Sequence, residues 1–140
     1  CNLLRQFDHA NQVGLALMAP FRVRIASERF REPDVVFMLH ENRDRRNPQY
    51  WDGADLVVEV VSEDDPNRDL VTKREEYAQA QIPEYWIIDP RDCTVRVLTL
   101  DEKSSEYQES CFNKRQTAVS VLLNGFSVSV NYLFDQADRG

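Results

Sequence analysis

DLVVEVVSEDDPNRDLVTKREEYAQAQIPEYWIIDP, residues 55–90, is the stretch that decides how this chain folds. Residues 55–61 are dense in β-branched side chains, which predicts a strand. Pro66 suits the first position of a helix, and the acidic residues before it complement the positive helix end, so a helix is predicted from Pro66 to Gln81. Its apolar face is expected to contain Leu70, Val71, Tyr77, Ala78 and Ile82. Residues 84–89 predict another strand, and the resulting βαβ unit implies parallel strands with a right-handed crossover.

The remaining elements surround this unit. Further strands are predicted at residues 21–25 and 34–39, with a polar loop at 40–53, a hairpin formed by 94–100 and 105–112, and helices at 1–10 and 131–136. The pattern is that of an α/β (α+β) protein with a mixed β-sheet flanked by helices, one βαβ crossover and a C-terminal β-hairpin.

Composition limits the class of protein. The chain has 140 residues, 42% of them hydrophobic, which suits a single globular domain over residues 1–140. It contains no apolar run near the about 18 residues that a membrane helix needs, and no secretory signal, so a cytoplasmic location without membrane contact is expected. Cys1, Cys93 and Cys111 are an odd number without CxxC spacing, which favours reduced thiols over disulfides or a zinc site.

Charge gives weak evidence about partners. The net charge is −7, which argues against a broad surface that binds nucleic acid. Residues 1–50 carry +2, however, and residues 51–140 carry −9. Arginines are concentrated in FRVRIASERFR (21–31) and ENRDRR (41–46), where a phosphate-facing patch and solvated loop charges are alternative interpretations.

Two carboxylates attract attention because of where they lie in predicted strands. Glu59 stands among valines, where it either faces water from an edge strand or is buried with a partner, and the parallel context favours burial. Asp34 follows Pro33, which is typical of a turn as well as of a strand start. If the two strands are neighbours, about 4.8 Å apart, Asp34 and Glu59 can share one divalent ion, and oxygen ligands suit Mg²⁺ or Mn²⁺.

Lys73 is the candidate cation. It follows Asp69 by four positions and precedes Tyr77 by four, so the three residues share one helical face. A surface ion pair worth about 0.3–0.5 kcal/mol would explain this spacing without any function. Alternatively, Lys73 lies at the margin of the apolar face and reaches over the sheet.

The stretches EPDVVFM, GADLVVEVVSEDD, DLVTKREEYA and IPEYWIIDP together resemble the Uma family of restriction endonucleases. These bacterial proteins, numerous in cyanobacteria, belong to the PD-(D/E)XK nuclease superfamily. The resemblance covers residues 21–90, and SVLLNGFSVSVNYLF (120–134) resembles the closing segment of the family. No single motif is specific, but the combination is.

The resemblance implies a restriction-endonuclease-like core and a metal-dependent endonuclease acting on nucleic acid, with DNA the expected substrate. Asp34 and Glu59 would bind Mg²⁺ or Mn²⁺. Val61 stands where the superfamily usually has its lysine, so Lys73 would be a catalytic lysine that has migrated to the helix. Asp69 and Tyr77 would support the site. The proposed contacts to the nucleic-acid backbone are Arg22, Arg24, Arg31, Arg45 and Arg46.

The chain departs from the family pattern in two respects. Gln81 replaces a helix-ending glycine. The chain is also expected to lack an N-terminal segment that includes a helix with an acidic residue able to join the site. An inactive nucleic-acid-binding or protein-interaction module with the same fold therefore remains an alternative, and a homodimer is an open expectation.

Overall fold

The computed structural model describes residues 2–139. Its strands, in chain order, are β1 (Gly14–Met18), β2 (Val23–Ala26), β3 (Arg29–Arg31), β4 (Val35–Leu39), β5 (Trp51–Asp52), β6 (Leu56–Val60), β7 (Glu84–Asp89), β8 (Thr94–Asp101), β9 (Glu106–Phe112), β10 (Thr117–Val119) and β11 (Ser127–Ser129). Its α-helices are α1 (Asn2–Asn11), α2 (Lys73–Gln79) and α3 (Val130–Arg139), with a π-helical turn (Arg68–Thr72) before α2 and a 3₁₀ helix at His40–Arg45.

A mixed six-stranded sheet in the order β1-β4-β6-β7-β8-β9 forms the centre of the protein. Strands β6 and β7 are parallel, with Glu59 opposite Ile87, and the α2 helix connects them. Strands β4 and β6 are antiparallel neighbours, with Val35 opposite Val58. The predicted fold class, its βαβ crossover and the β8–β9 hairpin are confirmed.

The predicted strand at residues 21–25 is observed at 23–26, in a separate three-stranded sheet with the order β3-β2-β5. Strands β1, β3, β10 and β11 were not predicted. The predicted polar loop at residues 40–53 contains two short elements that were not predicted, the 3₁₀ helix and β5. A carboxylate organises this segment: buried Asp55 accepts hydrogen bonds from the Leu39 N–H and the Asn42 side chain at 2.8 and 2.9 Å.

Apolar layers cover both faces of the main sheet, which explains the nearly continuous apolar sequence of its central strands. On the face toward α2, Tyr77 packs with the buried side chains of Val57 and Tyr85. On the other face, Trp86 packs with residues of the C-terminal segment, including Phe126. Because side chains alternate along β6, Glu59 lies on the α2 face.

Every helix within residues 2–139 is too short or too polar to span a lipid bilayer. Cys93 is half-buried and Cys111 is exposed, and both are free thiols. Cys1 lies outside the described residues.

Candidate active site

Glu59 is the centre of a buried polar network. Its side chain projects from β6, one residue before the strand ends, and is only 3% exposed. Oε2 accepts hydrogen bonds from Lys73 Nζ at 2.8 Å and from the Tyr77 hydroxyl at 2.7 Å. Oε1 accepts a longer bond of 3.3 Å from the Asp34 backbone N–H. The carboxylate is thus hydrogen-bonded at both oxygen atoms, as a buried charge requires.

Asp34 lies immediately before β4, next to the end of β6. Its Oδ2 atom accepts a hydrogen bond of 2.7 Å from the Val60 backbone N–H, while its own N–H donates to Glu59. These reciprocal bonds extend the antiparallel β4–β6 pairing and hold the two acidic residues beside each other. Unlike Glu59, Asp34 is exposed.

Lys73 projects toward the sheet rather than into solvent. Its side chain is 14% exposed, and Nζ lies 2.8 Å from Glu59 Oε2 and 3.1 Å from Asp69 Oδ1. The Asp69 side chain is itself buried, and its Oδ2 atom accepts a bond of 3.3 Å from the Ser62 N–H. The lysine is therefore held between two buried carboxylates.

The helix that carries Lys73 is not the regular α-helix that the sequence predicts. The backbone N–H of Lys73 donates to the carbonyl of Arg68, five residues earlier, which makes the turn over Arg68–Thr72 a π turn. The wider turn changes which side chains face the core, and Val71 is 50% exposed, so its predicted place on the apolar face was wrong.

The helix also ends two residues earlier than predicted, at Gln79. Gln81 adopts a positive φ of 60°, and its N–H donates to the Ala78 carbonyl at 3.0 Å. A left-handed residue that follows a helix is most often glycine. This conformation accounts for the glycine that the family pattern has at this position.

The electrostatics of the site follow from burial and from the pairing of charges. Burial raises the pKa of Glu59, and the nearby Asp34 charge adds to this, against the opposing effect of Lys73 and Tyr77. Burial alone would lower the pKa of Lys73, but its hydrogen bonds to Glu59 and Asp69 outweigh that effect and raise it. Lys73 therefore stays protonated at neutral pH. Burial and the Glu59 charge also raise the pKa of Tyr77, which remains a hydrogen-bond donor.

The five residues predicted for the centre of the site thus come together in one network, through the contacts given above. Their catalytic and metal-binding roles stay predictions, because proximity alone does not define chemistry. The site lies where the parallel strands β6 and β7 end, at the sheet edge where ligands bind in many α/β folds.

The arginines predicted to face phosphates each have a contact within the protein. Arg24 pairs with Asp52 at 2.7 Å, Arg31 with Glu76 at 2.6 Å and Arg45 with Asp55 at 3.3 Å. Arg46 donates to the Met38 carbonyl at 3.0 Å. Arg22 lies over the ring of Phe30, 4.1 Å from its centroid, a contact that leaves the charge unneutralised. Their contact with nucleic acid stays a prediction.

Asp34 and Glu59 fit a divalent metal ion. Their oxygen atoms are the hard ligands that Mg²⁺ and Mn²⁺ prefer, and Oε1 of Glu59 is engaged by a long bond of 3.3 Å. Among the side chains that the structure describes, no three or more of His, Cys, Asp or Glu form a ready metal site. Proteins commonly hold Mg²⁺ with one or two carboxylates, however, while water and substrate phosphate complete its coordination.

Sequence reasoning missed several buried polar residues of the central sheet. The Tyr85 hydroxyl donates to the Asp69 backbone carbonyl at 3.0 Å. Glu84, at the start of β7, accepts bonds from the Ser120 hydroxyl at 2.6 Å and from two backbone N–H groups. Asp89, at the end of β7, pairs with two arginines. The signal was weaker than for Glu59, since these two acidic residues stand at the ends of an apolar strand, where exposed charges are common.

A separate cavity of about 290 Å³ lies on the opposite face of the sheet. Its lining is mostly apolar and includes Val58 and Trp86, with Asp34 at its rim. The buried carboxylate of Glu59 projects to the other face, so the cavity and the Glu59 network lie on opposite faces of the sheet, and Asp34 borders both.

The mixed sheet, its βαβ crossover and the helix that brings a lysine to strand carboxylates define a restriction-endonuclease-like fold. The chain belongs to the Uma2 family, described as "Putative restriction endonuclease", whose sequence profile matches residues 1–131. It is similar to the crystal structure of a "putative nuclease belonging to DUF820" from Anabaena variabilis ATCC 29413, with a TM-score of 0.74 and 16% identity. The match covers 96% of this chain and 75% of that one. No curated protein matches significantly. The structural neighbour supports the fold, and membership of the family supports a nuclease function.

Proposed function

We propose that this protein is a metal-dependent endonuclease that hydrolyses phosphodiester bonds in DNA. The single observation that carries the proposal is the contact of 2.8 Å between Lys73 Nζ and the buried Glu59 carboxylate, beside Asp34. A lysine buried against strand carboxylates is costly unless its charge is paired, and such placement is frequent at catalytic sites. Membership of the Uma2 family supports the same chemistry.

Asp34 and Glu59 are the residues that would hold Mg²⁺ or Mn²⁺. Such an ion supplies a Lewis acid for the phosphodiester oxygens and a hydroxide nucleophile at neutral pH. The orientation of the Glu59 carboxylate as a metal ligand would be fixed by Tyr77, which donates to its Oε2 atom at 2.7 Å. Asp34 is oriented by the Val60 N–H, which donates to one of its two carboxylate oxygen atoms, and the residue is exposed.

Lys73 supplies a fixed positive charge. It remains protonated because Glu59 and Asp69 raise its pKa. Cations that are already in place where negative charge develops stabilise the transition state of phosphoryl transfer without reorganisation. Lys73 would therefore stabilise the charge on the phosphoryl oxygens, and Asp69 would keep the amino group in position. The products would be a 5′-phosphate and a 3′-hydroxyl.

Backbone contacts would position the nucleic acid without reading its sequence. Among the arginines predicted for this task, Arg22 is the best candidate because its partner is an aromatic ring. The others share their charge with a carboxylate or a carbonyl group.

Incubation of the purified chain with supercoiled plasmid DNA and with single-stranded RNA, in Mg²⁺, Mn²⁺ or EDTA, tests the proposal. We expect nicked and linear DNA only when a divalent ion is present, and no cleavage by Glu59→Ala. Glu63→Ala is the control, because Glu63 is exposed on the loop after β6. DNA binding without cleavage by the wild type would favour the inactive binding module, and preferential cleavage of RNA would correct the substrate.

A further inference from the structure

The π turn leaves one backbone carbonyl without its usual partner. In an α-helix the N–H of Lys73 would donate to the carbonyl of Asp69, four residues earlier. Here that N–H donates instead to the carbonyl of Arg68, so the Asp69 carbonyl does not accept the hydrogen bond that it would have in a regular α-helix. Asp69 is 2% exposed, and buried carbonyl groups are rarely left without a donor.

Tyr85 provides the missing donor. Its hydroxyl lies 3.0 Å from the Asp69 carbonyl oxygen, and the tyrosine is completely buried in β7 beneath the helix. Its ring packs edge-to-face on Tyr77, with 4.9 Å between ring centroids. The sheet therefore fixes the position of this hydroxyl, which donates to the Asp69 carbonyl in the π turn.

We propose that Tyr85 is a positioning residue of this site: its hydroxyl stabilises the π turn, and the π turn places the Asp69 carboxylate between Lys73 and Ser62. This inference rests on the proposed nuclease function and assigns a further residue to it. Relaxation to a regular α-helix would rotate the segment before the turn by about 100° relative to Lys73. Asp69 and Lys73 are four residues apart and can also pair in an α-helix, but the rotation would change their present contact of 3.1 Å and break the bond from the Ser62 N–H to the other oxygen atom of Asp69.

The chain offers a matched control. Tyr107 is also buried, and its hydroxyl donates to another backbone carbonyl, that of Ile82, at 2.7 Å. Tyr107→Phe therefore removes an equivalent bond within the same aromatic cluster but outside the π turn. A general loss of stability would be seen in both phenylalanine variants, whereas displacement of Asp69 should be seen only in Tyr85→Phe.

The test is an NMR comparison of metal-free protein at one pH. The chain contains three lysines, Lys73, Lys103 and Lys114, so labelling of lysine at the ε-carbon gives three assignable signals. We expect Tyr85→Phe to move the Lys73 signal and the Ser62 amide signal in the same direction as Asp69→Asn does. Tyr107→Phe should leave both at their wild-type positions.

The proposal is overturned if Asp69→Asn moves these signals and Tyr85→Phe does not. If Tyr85→Phe fails to fold, the exchange rate of the Tyr85 hydroxyl proton with solvent is measured in the wild-type protein. Slow exchange supports the proposal, and rapid exchange overturns it. In cleavage assays Tyr85→Phe should lower kcat roughly tenfold or more with KM unchanged, as misplacement of a reacting group does. The NMR result needs no catalysis, so failure of the nuclease function would be recognised separately.

Discussion

Lys73 and Glu59 lie 14 residues apart in the chain, yet Nζ of the lysine is 2.8 Å from Oε2 of the glutamate. The position two residues after Glu59 is occupied by Val61, which follows the end of β6 and is buried in the core, 3% exposed. The charge beside the carboxylate therefore comes from the helix. The βαβ crossover makes this contact, because it returns the helix across the face of the sheet that carries Glu59.

Removal of the Tyr77 hydroxyl should weaken both stability and cleavage. Tyr77→Phe keeps the buried ring but leaves Oε2 of Glu59 with Lys73 as its remaining side-chain donor. A lost hydrogen bond to a buried charge costs about 1.5–3 kcal/mol, so urea unfolding should show a loss of this size. The rate of plasmid cleavage should fall by roughly tenfold or more because the carboxylate is less well oriented.

Tyr132→Phe is the control for this change. Tyr132 is 50% exposed on α3, so its variant should match the wild type in both measurements. Equal losses in the two variants would show that the Tyr77–Glu59 bond has no special role.

Divalent metal binding should depend on Asp34. Calorimetric titration of Mn²⁺ into the wild type should reveal a binding site, and Asp34→Asn should weaken the affinity by roughly tenfold or more, which corresponds to about 1.4 kcal/mol. The amide of asparagine can still accept the Val60 N–H, so the strand ends should remain paired. Asp64→Asn, at an exposed position in the loop after β6, should bind Mn²⁺ like the wild type. Equal affinity in wild type and Asp34→Asn would exclude Asp34 as a ligand.

Asp89 should contribute to stability in a pH-dependent way. Hydrogen bonds from Arg91 hold its pKa below the usual value of 3.8. A lowered pKa in the folded state means that the contribution is complete above pH 3.8 and is lost as the pH falls through the folded-state pKa. Asp89→Asn should therefore be less stable than the wild type at pH 7, by about 1.5–3 kcal/mol.

The difference between wild type and Asp89→Asn should shrink below pH 3.8, and urea unfolding at pH 7 and pH 2.5 measures it. The exposed Glu102→Gln serves as the control and should follow the wild-type profile. A difference of the same size at both pH values would contradict the assigned pKa direction.

The sequence predicts the parts of the fold that depend on local pattern. The valines around Glu59 and the start signals at Pro66 predict the βαβ unit, and the spacing of Asp69, Lys73 and Tyr77 predicts their shared face. The π turn could not be predicted from local pattern, because it depends on a tertiary hydrogen bond from Tyr85, 16 residues away in the chain. Strand β1 could not be predicted either, because its first residue depends on a close approach to the backbone of β4. A side chain at Gly14 would overlap the Met38 carbonyl oxygen.

The environment of the arginines depends on long-range contacts in the same way. Arg24 and Arg31 pair with carboxylates 28 and 45 residues away, which no local pattern predicts. An arginine-rich segment therefore resembles a phosphate-binding patch in the sequence although the fold neutralises most of it.

The most direct test of the account is the single-turnover rate of plasmid cleavage by Lys73→Ala. Lys103→Ala is the matched control, because Lys103 lies exposed in the β8–β9 turn. Far-UV circular dichroism should confirm that both variants fold. We predict that Lys73→Ala loses cleavage by roughly 100-fold or more, as expected when an electrostatic stabiliser of the transition state is removed, while Lys103→Ala keeps the wild-type rate. Cleavage by folded Lys73→Ala at the wild-type rate would contradict the assignment of the site.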